Sequence, residues 1–155
     1  TAGTSTVTSG TNPDITYISP NVAGLTFGLS SDVDSGNSAY AVTYSMAGLS
    51  VYYGVADEDS SVGAKGSLAG FTIAAGSRSV DGSTEKSSDI AVKYTLDNGI
   101  TLAALSANGT TAAGGKVKYS NIGASYGITD GVTLKLEAGD GSEGNYSTLN
   151  LTMSY

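Results

Sequence analysis

In 155 residues the chain carries 14 acidic and 7 basic side chains, 22 glycines, and no cysteine, histidine or tryptophan. That composition excludes disulfide scaffolding, thiol chemistry and histidine-based metal centres or proton shuttles. A net charge of −7 leaves no evident basic surface to displace counterions from phosphates, so no nucleic-acid partner is expected. Only 14% of residues are charged, against about 25% in soluble domains. No apolar run approaches the ~18–20 residues of a membrane-spanning helix, which leaves strand-built membrane proteins open.

The opening TAGTSTVTSGTNP, residues 1–13, has neither a charged n-region nor an apolar h-region and reads as a loop-like lead-in. From residue 14 to 155 the chain reads as strands. Eleven are predicted: DITYIS, GLTFGLS, AYAVTYSM, GLSVYYGV, SVGAKGSL, GFTIAAGSR, DIAVKYTL, GITLAALS, KVKYSNIGASYGI, GVTLKLEAG and YSTLNLTMSY. All but the ninth alternate at period two, and Gly, Asp, Asn and Ser separate them, as in half-buried strands.

The connections add a second pattern. Ala47–Gly48, Ala69–Gly70, Asp97–Asn98–Gly99 and Thr129–Asp130–Gly131 read as tight hairpin turns, with Gly or Asn supplying positive φ. Between them lie polar stretches: SDVDSGNS, ADEDSS, SVDGSTEKSS, ANGTTAAGG and DGSEGN. A strict alternation of short and long connections is the mark of an up-and-down transmembrane barrel. A soluble β-sandwich with one solvated face per sheet is the competing architecture.

Sorting the strands by parity gives one face rich in Leu, Ile, Val, Phe and Tyr, and another of Thr, Ser, Gly and Lys. The apolar face is expected to carry no charge, which suits lipid, and Tyr40, Tyr94, Tyr126 and Tyr155 suit an interfacial girdle. The ninth strand breaks parity. Val117 and Tyr119 are out of phase with Ile122 and Ala124, and a bulge near Ser120–Asn121 would reconcile them.

Three stretches, DITYISPNVAGLTFGLS, AYAVTYSMAGLSVYYGVADED and SNIGASYGITDGVTLKLEAGDGSEGNYSTLNLTMSY, resemble the Gram-negative general porins, most closely those of alphaproteobacteria. The resemblance covers residues 14–155 and implies an all-β, sixteen-stranded, up-and-down antiparallel transmembrane β-barrel, a homotrimer in the cell outer membrane. It implies passive diffusion of ions and small hydrophilic solutes, contact with membrane lipid and lipopolysaccharide, and no enzymatic activity. Bacterial barrels have even strand numbers, so five strands are expected before Thr1, from a missing N-terminal barrel segment. Residues 1–13 would then be the trailing end of the family's inward-folded constriction loop. The last strand is similar to a barrel-assembly sorting signal, but has Leu151 and Met153 where that signal carries a Gly and a further aromatic.

Lys65, Arg78, Lys93 and Lys135 all fall on the polar face, with Glu137 as a neighbour, and are the candidate pore-lining charges. In the porins such a basic wall faces acidic groups on the inward loop. The oxygen-rich run Asp57, Glu58 and Asp59 is the candidate for Ca²⁺, a hard cation that takes oxygen ligands; a solvated anionic surface explains the same residues. No other cofactor is expected. A surface β-structured adhesin, filament or receptor without channel activity is the alternative function.

Overall fold

A computed structural model of the chain describes residues 14–141 and 144–153. The lead-in at residues 1–13 and the terminal Tyr155 lie outside the described residues. Eleven strands are present: β1 (Ile15–Ile18), β2 (Leu25–Ser31), β3 (Ser38–Met46), β4 (Leu49–Ala56), β5 (Asp59–Leu68), β6 (Phe71–Val80), β7 (Lys86–Thr95), β8 (Thr101–Thr110), β9 (Lys116–Thr129), β10 (Val132–Gly141) and β11 (Gly144–Met153). They form a single antiparallel sheet in which sequence neighbours are spatial neighbours throughout, β1 to β11. No second sheet covers either face among the described residues, so the sandwich is set aside. Among the described residues the sheet is open, with β1 and β11 each paired on one side only.

The register is staggered. Starting at Leu25, the first residue of β2, cross-strand partners run Tyr44, Val51, Ala64, Ala75, Ile90, Ser106, Ser120 and Asp140. The row begins at the short-turn end of β2 and finishes one residue from the far end of β10. A cumulative slip of this kind is what tilts strands and lets a sheet close.

Short turns form as expected, with one refinement. Ala23–Gly24, Ala47–Gly48 and Ala69–Gly70 place both central residues at positive φ, the alanines at 52°, 48° and 49°. These are the mirror-image turns whose twist matches paired strands. Gly24 is irreplaceable there, since a Cβ would lie 2.2 Å from the Ser45 carbonyl oxygen.

The long connections are shorter than the sequence suggests, because strands grow into them. Residues 32–37, 81–85 and 111–115 remain as loops, but ADEDSS collapses to a two-residue turn at Asp57–Glu58. Likewise only two residues separate β10 from β11. Hydroxyl-rich segments continue the ladder since nothing in them blocks it. The strict length alternation is thus not observed.

The bulge is also displaced. β9 pairs with β8 from Lys116 to Ser125 without interruption, and the register shift lies between Val132 and Thr133, beside Ile128. Val117 and Tyr119 therefore share the polar face with Asn121 and Gly123.

Burial is confined to small side chains. Among the described residues the buried hydrophobic ones are Ala39, Ala41 and Ala74, all on the polar face. Large apolar residues stay outside: Ile122 is 65% and Leu149 66% exposed. A chain this long with no large side chain in a core stabilises its sheet by other means, through the hydrogen-bonded ladder and whatever covers the apolar face.

Candidate pore wall

Register assigns every charged strand residue to a face, because directly paired residues project to the same side. Lys65 is paired with Ser50 and Ala74, and Lys93 with Thr72 and Ala103, so both stand on the polar face. They lie two strands and two residues apart, about 12 Å between Cα atoms from the ~4.8 Å strand spacing and ~3.3 Å rise. Neither enters an ion pair among the described residues. Their neighbours are hydroxyl pairs that close three short-turn hairpins: Ser45–Ser50 at 2.9 Å, Ser67–Thr72 at 3.0 Å and Thr95–Thr101 at 3.1 Å.

Arg78 has different company. Its Nη2 lies 2.7 Å from Asp59 Oδ1 and donates to Oδ2 at 2.9 Å, while Nη1 donates to Glu85 Oε1 at 2.6 Å. The guanidinium thereby ties β5, β6 and the 81–85 loop, and its charge is offset by two carboxylates. Lys135 is also paired, with Nζ 2.6 Å from Glu137 Oε2. The four basic residues expected to act together thus divide into two neutralised and two free.

Around Glu137 the polar face holds a network missing from the sequence-based reading. Asn121 Nδ2 donates to Tyr146 Oη at 2.6 Å and reaches Glu137 Oε1 at 3.3 Å. The hydroxyls of Tyr119 and Tyr146 are hydrogen-bonded, with rings 6.4 Å apart and 19° from parallel. Unbroken parity through β9 was the signal that could have found Tyr119. Glycine makes room for these rings: a Cβ on Gly139 would lie 2.7 Å from Tyr146 Oη and 2.5 Å from the Ser120 carbonyl oxygen. Tyr52 lies across Gly63 in the same manner. Asp89, paired with Gly76 and Ala107, is a further acidic residue on this face.

The carboxylates of Asp57, Glu58 and Asp59 are not gathered around a common point. Asp57 occupies the turn at φ 53° and accepts from the Ser38 amide at 3.1 Å, whereas Asp59 faces Arg78. No group of three potential ligands is placed to share an ion among the described residues. Calcium gains no support from this arrangement. On the opposite face, Phe71 stacks on Tyr94 with centroids 4.2 Å apart at the short-turn end, and Tyr126 is exposed nearby.

A sheet of sequential antiparallel strands, staggered, apolar on one side and hydroxylated on the other, has few homes. The sequence model of the family described as Gram-negative porin matches residues 1–155. The chain belongs to the Gram-negative porin family. Among solved structures, a multiply substituted variant of the porin from Rhodobacter blastica matches with a TM-score of 0.63 at 17% identity, over 87% of this chain and 53% of that one. At that identity the likeness shows the fold. The chain spans about half the length of that porin. A comparison with curated proteins gives no match.

Proposed function

We propose that these strands form part of the wall of a passive diffusion channel for ions and small hydrophilic solutes in the outer membrane, assembled as a homotrimer. The observation that carries this reading is one staggered sheet in which a band of exposed Leu, Ile, Val and Phe lies on one face and Ser, Thr, Gly and Lys predominate on the other. Among the described residues nothing covers the apolar side, which suits lipid; the polar side holds Ser, Thr, Gly and, among those residues, Lys without an ion pair, which suit water. A surface adhesin would also tolerate a polar face, but has no use for exposed Ile, Leu and Val over a whole sheet, so the channel is preferred.

Within the channel, Lys65 and Lys93 supply net positive potential near the short-turn rim, and Arg78 and Lys135 do not. Planar-bilayer recordings across a salt gradient test this. Lys65→Glu with Lys93→Glu is expected to move the reversal potential toward cation preference by about 10–20 mV, a two-fold change in relative permeability being on the order of 0.4 kcal/mol. An unchanged potential in that double variant rejects the assignment.

A further inference from the structure

The apolar face is not free of charge, contrary to expectation. Lys86 and Lys116, both paired with Thr110, and Lys118, paired with Asn108, stand on that side in hydroxyl-rich rows that include Ser79 and Ser88. They lie at the long-connection ends of their strands, beyond the band that includes Ile90 and Ile122. The polar face keeps the other four cations, Lys65, Arg78, Lys93 and Lys135.

One cross-strand row of the polar face runs Tyr52, Gly63, Gly76, Asp89, Ala107 and Tyr119, from β4 to β9. In the next row toward the short turns, Ala74 and Ala91 follow Lys65. Small residues therefore floor the middle of this wall. The Tyr52 ring lies flat across Gly63, in the space a Cβ there would need, and carries its hydroxyl on toward Gly76. A Cβ on Gly76 would meet Tyr52 Oη at 3.4 Å and Asp89 Oδ1 at 3.5 Å, so the two oxygens flank one point and are no more than about 7 Å apart. Neither side chain is hydrogen-bonded or ion-paired among the described residues. Lys65, also without an ion pair among them, stands about 8 Å from Tyr52 and about 12 Å from Asp89 between Cα atoms, from strand spacing and rise. The second tyrosine cluster of this face is closed on itself by contrast. There Tyr119, Tyr146, Asn121, Glu137 and Lys135 take up one another's hydrogen bonds. Around Gly76 the same ingredients, a flat ring, a carboxylate and an ammonium, stand without partners.

We propose that Tyr52, Asp89 and Lys65 form a binding subsite for a neutral pyranose sugar, seated on the Tyr52 ring and over Gly76. This deepens the channel reading, and rests on the polar face being a water-filled wall. Charge selects the ligand class. A cation at Asp89 meets Lys65 and Lys93, and an anion at Lys65 meets Asp89, whereas a neutral polyol meets no like charge. The carboxylate accepts from neighbouring hydroxyls and the ammonium donates to a further oxygen. A pyranose suits the ring because its C–H groups line one flat face while its hydroxyls radiate from the rim.

The test is saturation-transfer NMR on the intact protein, in a detergent without a sugar headgroup, titrated with glucose. Millimolar binding is expected, at least five-fold weaker for sorbitol, the acyclic polyol, and no tighter for glucosamine or glucose 6-phosphate. Asp89→Ala is expected to weaken glucose binding at least ten-fold and Tyr52→Leu at least five-fold, while Lys116→Gln on the other face leaves it unchanged. Heat-modifiable migration reports folding. Should either variant fail it, Gly76→Ala leaves every charge in place, and its methyl, which makes only ordinary contacts, is expected to weaken binding about three-fold by filling the gap. Undiminished binding in a folded variant overturns the proposal, as do equal affinity for sorbitol, tighter binding of either charged sugar, and the lack of saturable glucose binding. Conductance of the unsubstituted protein is read separately. A conducting protein that ignores glucose rejects the sugar site alone, whereas a non-conducting one rejects the channel reading.

Discussion

On the polar face, the two ends of the sheet are built from the same residue types and end up electrically opposite. At the short-turn end, neutral hydroxyl pairs close the hairpins, and Lys65 and Lys93 stand on the polar face without a carboxylate partner among the described residues. At the long-connection end, the single arginine is gripped by Asp59 and Glu85, and Asp32 organises its own loop. Unpaired cations meanwhile move to the opposite face, as Lys86, Lys116 and Lys118. Pairing and not residue identity decides which cations remain available, and pairing depends on where each strand stops.

The strongest way to break this comparison is to move a lysine down the apolar face. Ile122→Lys, four residues along β9 from Lys118, is expected to destabilise the protein in lipid bilayers by about 2–4 kcal/mol, and Thr110→Lys, within the hydroxyl rows, by about 0–1 kcal/mol. Reversible denaturant unfolding in vesicles measures both; equal costs would mean that the two positions do not differ in lipid exposure.

Next in size is the tightness of backbone contact at the long-connection end. Gly139→Ala pushes a methyl group against the Ser120 carbonyl and should cost about 1–3 kcal/mol. Gly63→Ala first meets the Tyr52 ring, a side chain and not backbone, and should cost less in the same unfolding assay. The reverse order would place the rigid contact at the wrong glycine.

Smaller still is the arginine grip. With Arg78 and both partners more than a third exposed, Arg78→Met is expected to cost under about 1 kcal/mol. Its clearer signature is faster amide exchange across residues 81–85, where Glu85 loses its anchor. Unaltered exchange there would show that Arg78 does not hold the loop.

The smallest effect concerns the 32–37 loop and pH. The Ser35 amide and hydroxyl, with the Asp34 amide, hold the Asp32 carboxyl below its ordinary value of 3.8. A lowered folded-state value means the loop is stabilised fully above 3.8 and loses that support as pH falls through the lower folded value. Protection of the Asp34 and Ser35 amides should therefore fade in acid, and Asp32→Asn should abolish the pH dependence. Pliant amides at neutral pH in the unsubstituted protein would contradict this role.

The sequence by itself determined the number of strands, their approximate limits, the sequential antiparallel order and the sorting of two faces. Each of these depends on period-two alternation and on local turn chemistry such as Ala47–Gly48, which act within a few residues. Only the tertiary structure decided what depends on register between strands. It moved the bulge from Ser120–Asn121 to Ile128, and with it Tyr119 to the polar face, because parity within one strand is silent about where two strands slip. It closed ADEDSS into a two-residue turn, separating Asp57 from Asp59 and leaving Asp59 to Arg78. It divided the basic residues into paired and free, since an ion pair such as Lys135–Glu137 or Arg78–Glu85 requires distances that spacing along the chain does not supply. And it gathered Lys86 with Lys116 and Lys118, thirty residues away along the chain, through β8, whose Thr110 pairs with both neighbours at one level of the sheet.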